Sequence, residues 1–338
     1  MLVVLIVKIL VFEYITGGGF NKQALPGSLV REGRLMLQAL LDNLSALEGV
    51  EPVVMLDERL IDTIDTSGMA AIAIRPEHEV MQEFTRLAAQ CDAAWPVAPE
   101  FDGILQALCQ AVEQSGRALL SSPAGAVALA GNKLRTYERL RRHDITTVAT
   151  RLFDEVDYCA GEWMVKSIDG VGCGESYLIT SREDFAACSL QARDKARFIF
   201  QPHVQGEKTS LSCLFKQGRA WLICVNLQRF EIVDNQYRLT ECVVNYQAGT
   251  GPYLKLAADI ARAFPDLWGY AGIDLIETAE RIHVLEINPR LTTSFAGIGQ
   301  GLGINVAEQV LRLLGGEPQL HPVRNQAITI KVRESDAA

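Results

Sequence analysis

The sequence predicts a mixed α/β and α+β protein, with an N-terminal doubly wound parallel sheet followed by an antiparallel sheet that carries a site. Three observations predict it. Up to about residue 118, apolar strand-like runs alternate with amphipathic helical stretches, the pattern of a parallel sheet covered by helices. Beyond Phe198, apolar and polar residues roughly alternate in successive runs, as in antiparallel sheet. Within the stretch Tyr270 to Arg290, three oxygen-bearing side chains, Asp274, Glu286 and Asn288, interrupt otherwise apolar strands. Carboxylates there are costly unless a cation compensates them.

A chain of 338 residues is too long for one simple core and fits two or three domains. Its apolar (49 %) and charged (22 %) fractions are ordinary for a soluble globular protein. The net charge of −9 argues against a nucleic-acid surface and an anionic membrane partner, but not against a small anion held by a few local Lys and Arg residues. The eight cysteines are scattered without a Cys-x-x-Cys pair, which predicts a reducing, cytoplasmic setting without zinc or disulfides. Met1 to Phe12 is too short to span a bilayer and lacks a cleavage site.

Leu2 to Phe12 reads as a first buried strand, running into Glu13-Tyr14-Ile15-Thr16-Gly17-Gly18-Gly19. A Gly-rich loop after such a strand is a ligand position in open α/β sheets, although glycines equally make a plain turn. Ser28 to Leu47 has helical spacing of leucines; Val53–Leu56 and Ala70–Ile74 read as strands, and 77–90 and 103–115 as helices. Ala124–Ala130 and Leu134–His143 follow as helices, with Asn132 as a cap. Lys133 then sits in a first turn, where the helix dipole disfavours a cation; an anion sharing the site explains it, and so does simple solvation.

Glu162 to Ser167 is a strand carrying Lys166 and leading into Asp169-Gly170-Val171-Gly172-Cys173-Gly174. A lysine beside Gly170, Gly172 and Gly174 suits phosphate, because glycines let several N–H groups face one anion. Hairpin loops use the same spacing, and the Walker pattern is absent. Phe198 to Val204 is a strand. The backbone of Gln201 or Pro202 and then Val204 offers adenine a carbonyl and an N–H, and Glu207 offers ribose a carboxylate; a sheet strand and polar turn fit equally. Tyr253 to Phe264 is a helix, the segment after Phe295 a Gly-rich turn, Asn305–Leu314 a helix, and Ala327–Val332 a strand. In the hairpin, Glu286 and Asn288 share a strand face, and a three-residue loop, Ala279 to Arg281, sets Asp274 opposite Glu286. Three hard oxygen donors then converge, suited to Mg²⁺ or its substitute Mn²⁺.

In order, Asn132-Lys133, Lys166 with its glycines, Gln201-Pro202-His203-Val204 with Gly206-Glu207, Gly272-Ile273-Asp274 and Glu286-Ile287-Asn288-Pro289-Arg290 resemble the ATP-grasp superfamily. The resemblance implies an N-terminal domain (1–118), a small mobile lid subdomain (119–200) and a C-terminal subdomain with the metal site (201–338). It implies ATP as cofactor, Lys133 and Lys166 on the α- and β-phosphates, and adenine against Gln201 to Val204. It further implies ribose on Glu207, Mg²⁺ on Asp274, Glu286 and Asn288, and Arg290 as the catalytic residue stabilising the transferring phosphoryl group. Phe12 to Gly19 is similar to the narrower group of tyramine–glutamate ligases, which act in methanofuran-type cofactor biosynthesis. That implies an amide-forming ligase joining L-glutamate to tyramine or tyrosine through an acyl phosphate, with Glu13, Thr16, Gly17 and Gly18 choosing these small-molecule substrates. A homo-oligomer is compatible. Two alternatives stand: a peptide or amino-acid ligase with another acceptor, and a non-catalytic nucleotide-binding protein.

Overall fold

The structure is a computed structural model and describes residues 6–171, 176–192, 194–247 and 250–332. Strands β1 (Val7–Glu13), β2 (Val50–Asp57), β3 (Ala70–Ile74), β4 (Ala93–Val97) and β5 (Ala118–Leu119) form a parallel sheet in the order β3-β2-β1-β4-β5. Helices α1 (Gly27–Ser45), α2 (Val80–Ala88) and α3 (Ile104–Gln114) connect them. Ile9 to Phe12 are fully buried, as a strand covered on both faces requires. The order reverses between β1 and β4, so the crevice at their carboxyl ends is the ligand position of such sheets.

The sequence reading places no strand at β4, and Pro96 would ordinarily disfavour a central strand. The ladder explains it: β5 pairs only with Ala93 and Ala94, so β4 is open on that side at Pro96. Pro52 in β2 is similar, since β3 begins pairing at Val53. The first described strand starts at Val7; Leu2 to Leu5 lie outside the described residues.

After α4 (Ala124–Ala130) and α5 (Lys133–Arg142) comes a second sheet. Its strands are β6 (Arg151–Leu152), β7 (Trp163–Ser167), β8 (Ser176–Ile179), β9 (Phe198–Pro202), β10 (Glu207–Lys216), β11 (Arg219–Val233), β12 (Gln236–Val244), β13 (Gly269–Glu277), β14 (Ile282–Asn288) and β15 (Ile328–Lys331). They pair antiparallel in the order β14-β13-β10-β11-β12-β8-β7-β9-β6, with β15 beside β12. Helices α6 (Arg182–Gln191), α7 (Gly251–Ala263), α8 (Phe295–Leu302) and α9 (Val306–Leu313) complete the chain.

β6 to β9 have their own small core around Phe153, Val165 and Phe200, and β8 meets β12 at Gln236 and Tyr177. α4 and α5, expected with this small unit, pack instead through Ala126, Ala130 and Leu140 into the core under β10 and β13. The stripe of α1 (Leu37, Leu40, Leu41, Leu44) shares a core with Phe295, Ile298, Val306 and Val310, so the two sheets are joined through packed helices. α8 stands where a Gly-rich turn was expected. A Cβ at Gly297 would lie 2.8 Å from Val244, and one at Gly301 2.8 Å from the Gln326 carbonyl. The glycines are there for close packing on β12 and β15 rather than for turning.

Candidate active site

The hairpin of β13 and β14 sets Asp274 directly opposite Glu286, and Gly272 opposite Asn288. The expected route to this register needs correction. The connection is Thr278 to Arg281, with Glu277 paired to Ile282; that parity alone would set Asp274 opposite Leu285. A β-bulge at Leu285 restores the pair. It also brings Leu285 as well as Glu286 to the wall of the large cavity, of about 960 Å³.

Asp274 accepts from the side chains of Asn288 and Gln228, each at 3.1 Å. Burial, then the charge of Glu286, pushes the Asp274 carboxyl up to about 8. Burial works to raise Glu286 too, but the charges of Lys133 and Lys166 outweigh it and hold Glu286 below its usual range. Two like charges facing each other oppose one another, and a divalent cation between them would relieve this. No cluster of three His, Cys, Asp or Glu side chains suited to a metal occurs among the described residues. The donor set is two carboxylates and a carboxamide, which fits a hard ion completed by water and phosphate oxygens.

Asn132 caps α5 by accepting from the Arg135 N–H. The Lys133 N–H donates to the Ile168 carbonyl at 2.8 Å, and its Nζ donates to the Gly170 carbonyl at 2.6 Å and lies 3.0 Å from Glu286. The helix start is thus tied to the segment after β7, and Lys133, Lys166 and Gly170 line the same cavity. Gly172 and Gly174 lie outside the described residues.

Lys208 joins this set although sequence reasoning missed it. It shares a face of β10 with Ser210, opposite Ile276 and Asp274, so counting by twos along the strand would have found it. Its ammonium lies over Tyr237, 5.6 Å from the ring centroid, and donates to the Val204 carbonyl at 3.3 Å. Burial, then the charge of Lys166, pushes it down to about 8. Three lysines converging on one cavity are what a polyphosphate requires.

Gln201, Pro202 and Val204 line the cavity, with Met164, Val148, Ile276 and Leu285 as apolar wall. The Gln201 amide is engaged by Thr150 at 2.8 Å, and His203 is held by Glu162 at 2.8 Å and Tyr237 at 2.7 Å. These two side chains therefore brace the strand. Glu207 lines an adjoining smaller cavity, shared with His203, Lys208 and Tyr237.

The loop after β1 is not where the sequence expectation put it. Glu13, Thr16, Gly17 and Gly18 do not line the cavity. The buried Glu13 carboxylate accepts from the Thr16 N–H and hydroxyl, both at 2.7 Å, and from the Ile15 N–H. Added Cβ atoms at Gly17 and Gly18 would meet Phe12 at 2.6 Å and Ile74 at 2.4 Å. The glycines are demanded by packing. In their place α1 supplies Ser28, Leu29, Glu32 and Met36 to the cavity wall, and Glu32 accepts from Thr293 at 2.8 Å.

Arg290 reaches the cavity from the end of the hairpin, with its guanidinium held by Glu100. The antiparallel hairpin, the lysines around it and the preceding parallel sheet define an ATP-grasp fold, and the chain belongs to the ATP-grasp superfamily: residues 130–294 match the ATP-grasp domain and residues 50–127 the pre-ATP-grasp domain. It is a ligase. It is 24 % identical over 331 residues to tyramine–L-glutamate ligase of Methanocaldococcus jannaschii, covering 97 % of this chain and 96 % of that one. An ATP-grasp superfamily protein from Archaeoglobus fulgidus superposes with a TM-score of 0.71 at 20 % identity, covering 96 % and 92 % of the two chains. The biotin carboxylase domain of Hydrogenobacter thermophilus 2-oxoglutarate carboxylase, solved with MgADP, gives 0.70 at 14 % identity, covering 94 % and 71 %.

Proposed function

We propose that the protein joins L-glutamate, as acyl donor, to tyramine or tyrosine in an ATP-dependent amide ligation, within methanofuran-type cofactor biosynthesis. The observation that carries the ligation chemistry is the facing pair Asp274 and Glu286 with Asn288, ringed by Lys133, Lys166 and Lys208. The substrate choice draws support from the name of the M. jannaschii relative.

A free carboxylate is a poor electrophile. Transfer of the γ-phosphoryl of ATP to the carboxylate gives an acyl phosphate and ADP; the amine then attacks the acyl carbon, the amide forms and inorganic phosphate leaves. In this reading the lysines hold the phosphates, the strand from Gln201 to Val204 takes adenine, and Glu207 meets the ribose at the mouth of the adjoining cavity. Asp274, Glu286 and Asn288 would hold Mg²⁺, which supplies charge neutralisation between the phosphates. Arg290 steadies the phosphoryl oxygens as charge develops. Incubation with MgATP, L-glutamate and a panel of amines, read by product mass and ADP release, tests this. A glutamyl-tyramine mass supports it. A product with a different amine moves the reading to another amino-acid ligase, and ADP release with no pair removes it.

A further inference from the structure

We propose that Glu100 of the parallel-sheet domain is a positioning residue for Arg290, holding its guanidinium so that the terminal nitrogens face the cavity and the γ-phosphoryl group; this rests on the ATP-dependent reading above. Glu100 follows β4, at the carboxyl ends of β1 and β4 where the strand order reverses. Ligands commonly enter that crevice. Here Arg290, from the end of the hairpin, meets Glu100.

The contact is close and deep. Arg290 Nη2 donates to Glu100 Oε2 at 3.0 Å, and Nε lies 2.9 Å from Oε1, charge against charge though off the line of a hydrogen bond. The two side chains are 12 % and 6 % exposed. Nη1 donates to the Leu291 carbonyl at 3.0 Å. Of five guanidinium N–H groups, one on each terminal nitrogen is left for the cavity, among the described residues. Glu100 holds the Nε–Nη2 side of the guanidinium, so an incoming oxyanion meets the remaining N–H groups of the terminal nitrogens.

Glu100 does not line the cavity itself and stands behind Arg290. It packs close against Gly131, where an added Cβ would lie 2.9 Å from Glu100 Cγ. Gly131 immediately precedes Asn132 and Lys133, so one glycine brings the phosphate lysine and the Arg290 anchor side by side. The pair also couples the sheets: Arg290 is aimed only when the parallel-sheet domain is docked.

The test compares dissociation constants of Mg·AMP-PNP and MgADP for wild type, Glu100→Gln, Arg290→Lys and the double variant. Wild type is expected to favour the γ-phosphate-bearing ligand by about tenfold. Glu100→Gln is expected to erase most of that preference and keep MgADP affinity within about twofold. The double variant is expected to lose no more than Arg290→Lys alone, because the two act as a unit. Glu100→Asp, which keeps the charge but falls one methylene short, is expected to lose part of the preference and covers the case in which Glu100→Gln does not fold. An unchanged preference in Glu100→Gln, or strictly additive losses, overturns the proposal. Failure of wild type to bind MgADP overturns the nucleotide reading, and this inference with it.

Discussion

Asp274 and Glu286 face each other across the β13–β14 ladder, and Lys133 lies 3.0 Å from Glu286. Two partly buried carboxylates facing each other are a poor way to stabilise a hairpin and a good way to bind a divalent cation. Replacing one of them is expected to cost function and not stability. Asp274→Asn should lower ADP release at least about 100-fold, while its melting temperature without ligand stays equal to wild type or rises. A large fall in melting temperature with activity retained would assign the pair a structural role.

Lys208 gives a pH dependence with a definite sign. Its folded pKa is depressed to about 8 from 10.5 by burial and by Lys166. Between those values the unfolded chain binds the proton and the native state does not, so this group's contribution to stability rises with pH across that window. Nucleotide binding runs the other way. A polyphosphate favours the charged lysine, so MgADP affinity should fall as pH rises above about 8. Titrations at pH 7 and 9 check this; Lys208→Met should show weaker binding and a flatter profile.

The loop after β1 should behave as structure. Glu13→Gln and Gly18→Ala are expected to lower the melting temperature and leave the KM for each substrate near wild type. For Gly18→Ala the cost is about 1–3 kcal/mol from its positive φ of 102°, increased by the clash with Ile74. Urea unfolding of each variant beside its KM values checks this. A changed KM without a change in stability would return the loop to the substrate site.

Leu285 is brought to the cavity by the bulge. If it packs under the adenine, Leu285→Ala should weaken MgADP binding by up to about 1.5–3 kcal/mol, the value of one buried leucine, and leave the preference for AMP-PNP over ADP unchanged. Equal affinity would show that the base lies elsewhere.

Much of the site was legible because charge in an apolar strand is conspicuous. Asp274, Glu286, Asn288, Lys133 and Lys166 each broke a local pattern, and the pairing of Asp274 with Glu286 was expected, though from a three-residue loop rather than from the bulge that produces it. The bulge was not legible, since nothing in Val284-Leu285-Glu286 distinguishes a bulged residue from a paired one. β4 and α8 were hidden by Pro96 and by three glycines, whose meaning depends on which neighbours lie beside them. The glycines at 17 and 18 were read as ligand contacts because a loop glycine required by Phe12 and Ile74 looks the same in sequence as one required by a phosphate. Glu100 was invisible for a related reason: its role exists only through Arg290, 190 residues away.

The most direct test is the affinity for ADP with and without Mg²⁺, measured by titration calorimetry on wild type and Glu286→Gln. Wild type is expected to bind MgADP about tenfold or more tighter than ADP in EDTA, with the difference abolished in Glu286→Gln. A variant that kept the full Mg²⁺ dependence would contradict the assignment of the facing carboxylates to a metal and nucleotide site.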